Sequence, residues 1–155
     1  TRAADNWGVP VANIPYPTGG SLAVSFALEG YVTGASSTFV NWTADANNGI
    51  LMQSGASNFT FTQEAGGVVD TVTGGSYTSG VNTAFKLGMR NGSTVINGAA
   101  NATVLTANAT PVAFPALSTT DMQLLTVGNF HITKWRMWGS TEGDIGDVGL
   151  GEVVA

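Results

Sequence analysis

The segment from Thr83 to Gly98 constrains this chain more than any other. Phe85, Leu87 and Met89 alternate with Lys86, Gly88 and Arg90. A period of two is the pattern of an antiparallel strand with one face in a core and one in solvent. Asn91-Gly92 follows, a pair that accepts positive φ at both central positions of a type I′ turn. Thr94–Asn97 reads as the returning strand, and Asn97-Gly98 closes the pair. The sequence Ser21–Glu29 repeats the alternation, with Leu22, Val24, Phe26 and Leu28 on one face and Ser21, Ala23, Ser25, Ala27 and Glu29 on the other.

Further strands are expected at Ser37–Thr43, Gly49–Gln53, Asn58–Gln63, Val68–Thr73, Thr103–Ala107, Met122–Val127 and Phe130–Trp138. Turn clusters such as Asp45-Ala46-Asn47-Asn48-Gly49 and Thr73-Gly74-Gly75-Ser76 separate them. Leu, Glu, Lys and Arg are scarce, while Gly and β-branched residues are abundant. Many short strands without helices specify an all-β, two-sheet antiparallel jelly-roll sandwich. One domain is the natural count for 155 residues. The jelly roll is expected over 1–138, with 1–20 as a lead-in. Residues 139–155 read as an acidic, Gly-rich tail or connecting arm. Thr1 in place of an initiator Met reads as a piece of a longer or processed polypeptide.

Composition narrows the function classes. There is no cysteine and one histidine, His131. A disulfide frame, thiol chemistry and a His-rich metal centre are thereby excluded. Charged residues make up 10% of the chain, against about 25% in typical domains. The surface is therefore built from Gly, Ser, Thr, Asn and Ala, which suits carbohydrate contacts or contacts between subunits. A net charge of −5 argues against nucleic acid as a partner, because phosphate binding needs a basic patch. No apolar run approaches the length of a membrane-spanning helix.

Few residues offer chemistry. Glu142-Gly143-Asp144-Ile145-Gly146-Asp147 resembles the paired-carboxylate strand of jelly-roll glucanases, in which two acids flank a glycosidic bond. Here glycines interrupt the run, which a continuous strand disfavours, so the preferred reading is a solvated tail and no catalytic residue. Oxygen ligands for calcium occur there and at Asp45, Asn47 and Asn48, where an Asx turn accounts for the same residues. No cofactor or metal is expected. Trp7, Trp42, Trp135 and Trp138 are candidate sugar platforms, since an indole face packs on the apolar face of a pyranose. Trp42 stands beside the Asp45–Gly49 loop, so Trp42, Asp45, Asn47 and Asn48 form the candidate glycan site. Trp135 and Trp138 fall on opposite faces of a regular strand, and Trp135 is assigned to the core. His131 reads as a strand-end residue bonded to backbone. Lys86, Arg90, Lys134 and Arg136 are four of the five cations. Their parity gathers them on one sheet face, either solvated or facing a neighbouring subunit or an acidic glycan. Asn41, Asn58, Asn91, Asn101 and Asn108 each begin an Asn-x-Ser/Thr triplet, which chance explains in a chain so rich in Asn and Thr.

The order of motifs resembles a known family. Thr1-Arg2-Ala3-Ala4-Asp5 is similar to the segment that opens the laminin-G-like, concanavalin A-like jelly-roll module of tailed-bacteriophage virion proteins. Gly19–Phe26 resembles its first long strand, and Asn47-Asn48-Gly49-Ile50 the loop into the next hairpin. Phe85–Gly98 resembles the hairpin that ends in Asn-Gly, Leu124–Gly128 the strand that ends in Leu-x-Leu-Gly, here with Val127 before the glycine, and Ile132–Trp138 the closing strand. The family often continues with Pro, Arg and Leu, where this chain has Gly139-Ser140-Thr141-Glu142. The resemblance implies a non-enzymatic structural or adhesive module of a phage fibre, spike or other appendage, located in the virion. It would be homotrimeric or packed on other virion proteins, and would present a surface to a host cell-surface glycan. The alternatives are a carbohydrate-binding module of a secreted bacterial protein and a jelly-roll glycoside hydrolase.

Overall fold

The computed structural model describes residues 7–16 and 22–141. Eleven strands run in chain order. They are β1 (Trp7–Val9), β2 (Leu22–Val32), β3 (Thr38–Asp45), β4 (Asn48–Ser54), β5 (Asn58–Ala65), β6 (Val68–Ser76), β7 (Thr83–Gly92), β8 (Ile96–Ala100), β9 (Thr103–Val104), β10 (Met122–Val127) and β11 (Phe130–Thr141). Every pairing is antiparallel. One sheet has the order β1-β10-β3-β4-β5-β6, the other β11-β2-β7-β8-β9. The two pack face to face as an antiparallel jelly-roll sandwich, as the alternation and turn spacing require.

The core lies between the sheets. Val24, Phe26 and Leu28 of β2 meet Phe85, Leu87 and Met89 of β7 on the inner face of the five-stranded sheet. Val40, Trp42, Ile50, Met52, Phe59 and Phe61 face them from the six-stranded sheet. Leu22, expected in this set, is only partly buried at the start of its strand. Ala23, Ser25 and Ala27 were expected on a solvent face and are buried instead. Their strand is central, and longer side chains on its neighbours overlie such small ones; Trp138 packs against Ala27 and Ala99.

The hairpin at Asn91-Gly92 differs from its sequence reading. Both residues continue β7, paired as Asn91↔Val24 and Gly92↔Ala23, and the chain turns at residues 93–95. The reason is tertiary. The Gly92 carbonyl accepts a 3.1 Å hydrogen bond from Gln63 Nε2, and the buried Asn91 side chain donates to the Thr62 carbonyl at 3.5 Å. These bonds across the sandwich hold the pair extended. Left-handed turn pairs occur elsewhere, at Gly66-Gly67 (φ 59° and 79°) between β5 and β6 and at Asn101-Ala102 (φ 50° and 69°) between β8 and β9. Asn97-Gly98 also lies inside a strand, where a Cβ on Gly98 would overlap the Phe61 ring. Strand β9 stops at Val104, short of the expected Ala107, and β1 carried no sequence signal because three residues are too few to show a period.

Candidate functional site

The outer face of the five-stranded sheet follows from register. Glu29 of β2 sits between Lys86 of β7 and Lys134 of β11. One pair along, Ala27 lies between Gly88 and Arg136, and Gly88 pairs onward with Ala99 of β8. Next, Ser25 lies between Arg90 and Trp138, and Arg90 pairs with Asn97. Lys86, Arg90, Lys134 and Arg136 therefore share one face, as their parity predicts. Ser25, Ala27, Gly88 and Ala99 form a floor of small side chains beneath them. A bulge between Ile132 and Lys134 resets β11 so that Lys134 and Arg136 both point outward. Lys134 Nζ bonds Glu29 Oε1 at 3.0 Å, an exposed pair of small energetic weight. Glu29 is the one acid among the described residues of these rows, so the face is cationic on a chain of net charge −5.

At the Tyr31 end the face opens into a hollow of about 460 Å³. Glu29, Tyr31, Lys86, Asn101, Ala102 and Thr133 line it. The Asn101-Ala102 rim is held in a left-handed turn that costs a non-glycine residue free energy. Asn101 offsets the cost by clasping β7 twice: its N–H donates to the Lys86 carbonyl and its Oδ1 accepts from the Lys86 N–H, both at 2.9 Å.

A second concavity of about 340 Å³ lies on the side where β1 and β11 are the outermost strands of the two sheets among the described residues. Trp7, Leu124, Ile132, Thr133, Lys134 and Trp135 line it. Trp7 is 56% exposed and meets Trp135 edge to face, with ring centroids 6.4 Å apart. Trp135 is half-buried against the core and Trp138 stands on the opposite face, as strand parity predicts.

The site expected at Trp42, Asp45, Asn47 and Asn48 is not assembled as an aromatic platform. Trp42 is 0% exposed; its indole N–H donates to the Thr120 carbonyl at 2.8 Å and Tyr16 abuts its ring. The alternation of β3 points it inward, away from the loop beside it. In that loop, Asp45 accepts from the Asn47 N–H at 2.7 Å and from Asn48 Nδ2 at 3.1 and 3.2 Å. These bonds hold its carboxyl below the usual value of 3.8, chiefly through the Asn47 N–H. Asn48 Oδ1 accepts from the Gly66 N–H and the Asn47 carbonyl from the Gly67 N–H, so the loop braces the β5–β6 turn. His131 is exposed on β11, paired with Tyr31. The acidic run from Glu142 to Asp147 lies outside the described residues, as do residues 1–6 and 17–20 of the lead-in. Sequence reasoning found the four cations through strand parity. It missed Tyr31, Glu29 and Asn101, because nothing local marks which outward residues will border a hollow.

No family model and no curated protein sequence matches this chain. Solved structures do match in fold. A CBM40 domain of a Ruminococcus gnavus IT-sialidase bound to α2,6-sialyllactose aligns with a TM-score of 0.61 at 12% identity, over 86% of this chain and 83% of that one. The same domain bound to α2,3-sialyllactose gives a TM-score of 0.59 at 12% identity, over 85% and 80%. The binding domain of botulinum neurotoxin DC in complex with SialylT gives 0.58 at 12% identity, over 86% of this chain but 36% of the toxin chain. At such identities the likeness establishes a shared β-sandwich fold.

Proposed function

We propose that this chain is a non-catalytic carbohydrate-binding module that takes an anionic glycan on the outer face of its five-stranded sheet. The observation that carries this reading is the convergence of Lys86, Arg90, Lys134 and Arg136 over a floor of Ser25, Ala27, Gly88 and Ala99. A chain of net charge −5 repels anions at long range, so a cationic face on it sets up a local field for them. Arginine's planar fork suits a sugar carboxylate, with which it forms paired charge-assisted hydrogen bonds. Trp138, which packs over Ala27 and Ala99 on this face, offers an indole surface to a sugar ring, and the hollow at Tyr31 adds hydroxyl, amide and carboxylate groups for sugar hydroxyls. Domains of similar fold have been solved with sialyllactose and SialylT, which supports this ligand class over a purely structural role.

The setting is either a secreted bacterial protein or, as the motif order implies, a phage appendage in which the face would meet host glycans. In the second setting the module is expected to form a homotrimer or to pack on another virion protein. Titration calorimetry with sialyllactose and with lactose tests the function. Binding of the sialylated sugar alone, lost in Arg90→Ala and Arg136→Ala, is the expected result. Equal binding of lactose, or no loss in the variants, overturns it. Light scattering separates the settings, because a strictly monomeric module that still binds glycan speaks for the secreted protein.

A further inference from the structure

We infer that the cleft beneath Trp7 is a second glycan subsite, one that takes an uncharged sugar of the same chain whose acidic residue lies on the cationic face. The inference rests on the glycan-binding reading above but on different atoms. Val9 lies on the same side of β1 as Trp7 and is packed against the core, whereas Trp7 has 56% of its surface exposed on this outermost strand. It touches Trp135 through an edge-to-face contact, so much of the indole surface stays in water. Burying that area would stabilise the fold; leaving it open costs stability and provides a flat apolar platform. The rest of the lining is mixed. Leu124, Ile132 and Trp135 are apolar, while Thr133 and Lys134 form a polar border whose hydroxyl and ammonium groups bond Glu29 at 3.1 and 3.0 Å. An apolar platform bordered by hydrogen-bonding groups fits a pyranose, with its apolar face and its rim of hydroxyls.

Lys134 joins the two regions. It lines the cleft and also bonds Glu29, which lines the hollow on the cationic face. A glycan can therefore pass from the face around β11 to the cleft without leaving protein contact. The ligand class that uses both is an acidic oligosaccharide with a neutral sugar next to its charged residue.

The experiment compares three probes, namely sialyllactose, free sialic acid and lactose, against wild type, Trp7→Ala, Trp7→Phe and Arg136→Ala, with folding of each checked by circular dichroism. Trp7→Ala is expected to weaken sialyllactose about tenfold while leaving sialic acid within about twofold, as loss of one aromatic contact predicts. Trp7→Phe should recover most of the loss, and Arg136→Ala should weaken both acidic probes. If Arg136→Ala weakens binding and Trp7→Ala does not, the cleft is no subsite and the cationic face stands. If Trp7→Ala abolishes lactose binding while Arg136→Ala changes nothing, the cleft binds sugar by itself, and both the cationic face and the shared-chain inference are overturned. Absence of binding by any probe overturns both. A dimer that Trp7→Ala converts to monomer, with no change in sugar affinity, assigns the cleft to self-association and overturns the inference.

Discussion

The two outer faces of this sandwich were built from the same restricted alphabet, yet they differ in kind. On the six-stranded sheet, register aligns Asn41, Leu51, Thr62 and Thr71 in one row and Thr38, Gln53, Thr60 and Thr73 in another. No lysine or arginine stands in either row. Side-chain bonds there run between neighbours, as from Gln53 Nε2 to Thr38 Oγ1 at 3.1 Å. Such cross-strand pairs stabilise a sheet by a few tenths of a kcal/mol each, up to about 1 kcal/mol. The five-stranded sheet instead places Lys86, Arg90, Lys134 and Arg136 around small side chains. Long cations over alanine and glycine do little for the sheet itself. The contrast teaches that the scarce positive charge of this chain is concentrated where a ligand would use it, while the threonine face serves the fold.

The largest effect should come from the core that both faces share. Phe26→Ala empties a fully buried aromatic site and should cost about 3–5 kcal/mol in urea unfolding. A loss below about 1 kcal/mol would show that the inner and outer faces of β2 are wrongly assigned, and the comparison would collapse. The next effect separates the faces directly. Arg90→Ala or Arg136→Ala should weaken sialyllactose binding by about tenfold to a hundredfold, the worth of a charged hydrogen bond. Thr71→Ala and Thr73→Ala on the other sheet should leave it unchanged. Rising salt should weaken the wild type, because exposed charges are screened. Equal sensitivity of the two faces would remove the distinction.

A smaller effect sharpens the account of how the sheets meet. Gly98 leaves no room for a Cβ beside the Phe61 ring, so Gly98→Ala should destabilise by about 1–3 kcal/mol without changing which glycan binds. Thermal unfolding alongside calorimetry would check both halves. The smallest effect lies in the loop once paired with Trp42. The Asp45 carboxyl is held below its ordinary value by the Asn47 N–H and the Asn48 side chain, so its proton is bound more weakly in the native state than in the unfolded chain. Its contribution to stability is present above the unfolded pKa and is lost as pH falls through the lower native one. Asp45→Asn should flatten that acid dependence and leave glycan binding intact; a clear loss of binding would return the loop to candidacy.

Much of this was legible in the chain. Alternation in Ser21–Glu29 and Ala84–Arg90 fixed which residues face the core, because a strand offers each side chain only two directions. The same parity placed Lys86 with Arg90 and Lys134 with Arg136 and set Trp135 and Trp138 on opposite faces, while the bulge before Lys134 decided that its pair joins the outer face. Sequence also determined the all-β class, through the scarcity of Leu, Glu, Lys and Arg and the spacing of turns. It could not determine the turn at Asn91-Gly92, whose local preference yields to hydrogen bonds from Gln63 and to Thr62, nearly thirty residues away in sequence. Nor could it decide which tryptophan meets solvent. Trp42 and Trp7 look equally able to carry a sugar in one dimension, yet one is sealed beneath Tyr16 and the other overhangs a sheet edge. Parity is a property of neighbours along the chain, and it survives without a fold. Exposure is a property of what the other sheet places opposite, and only the packed sandwich supplies it.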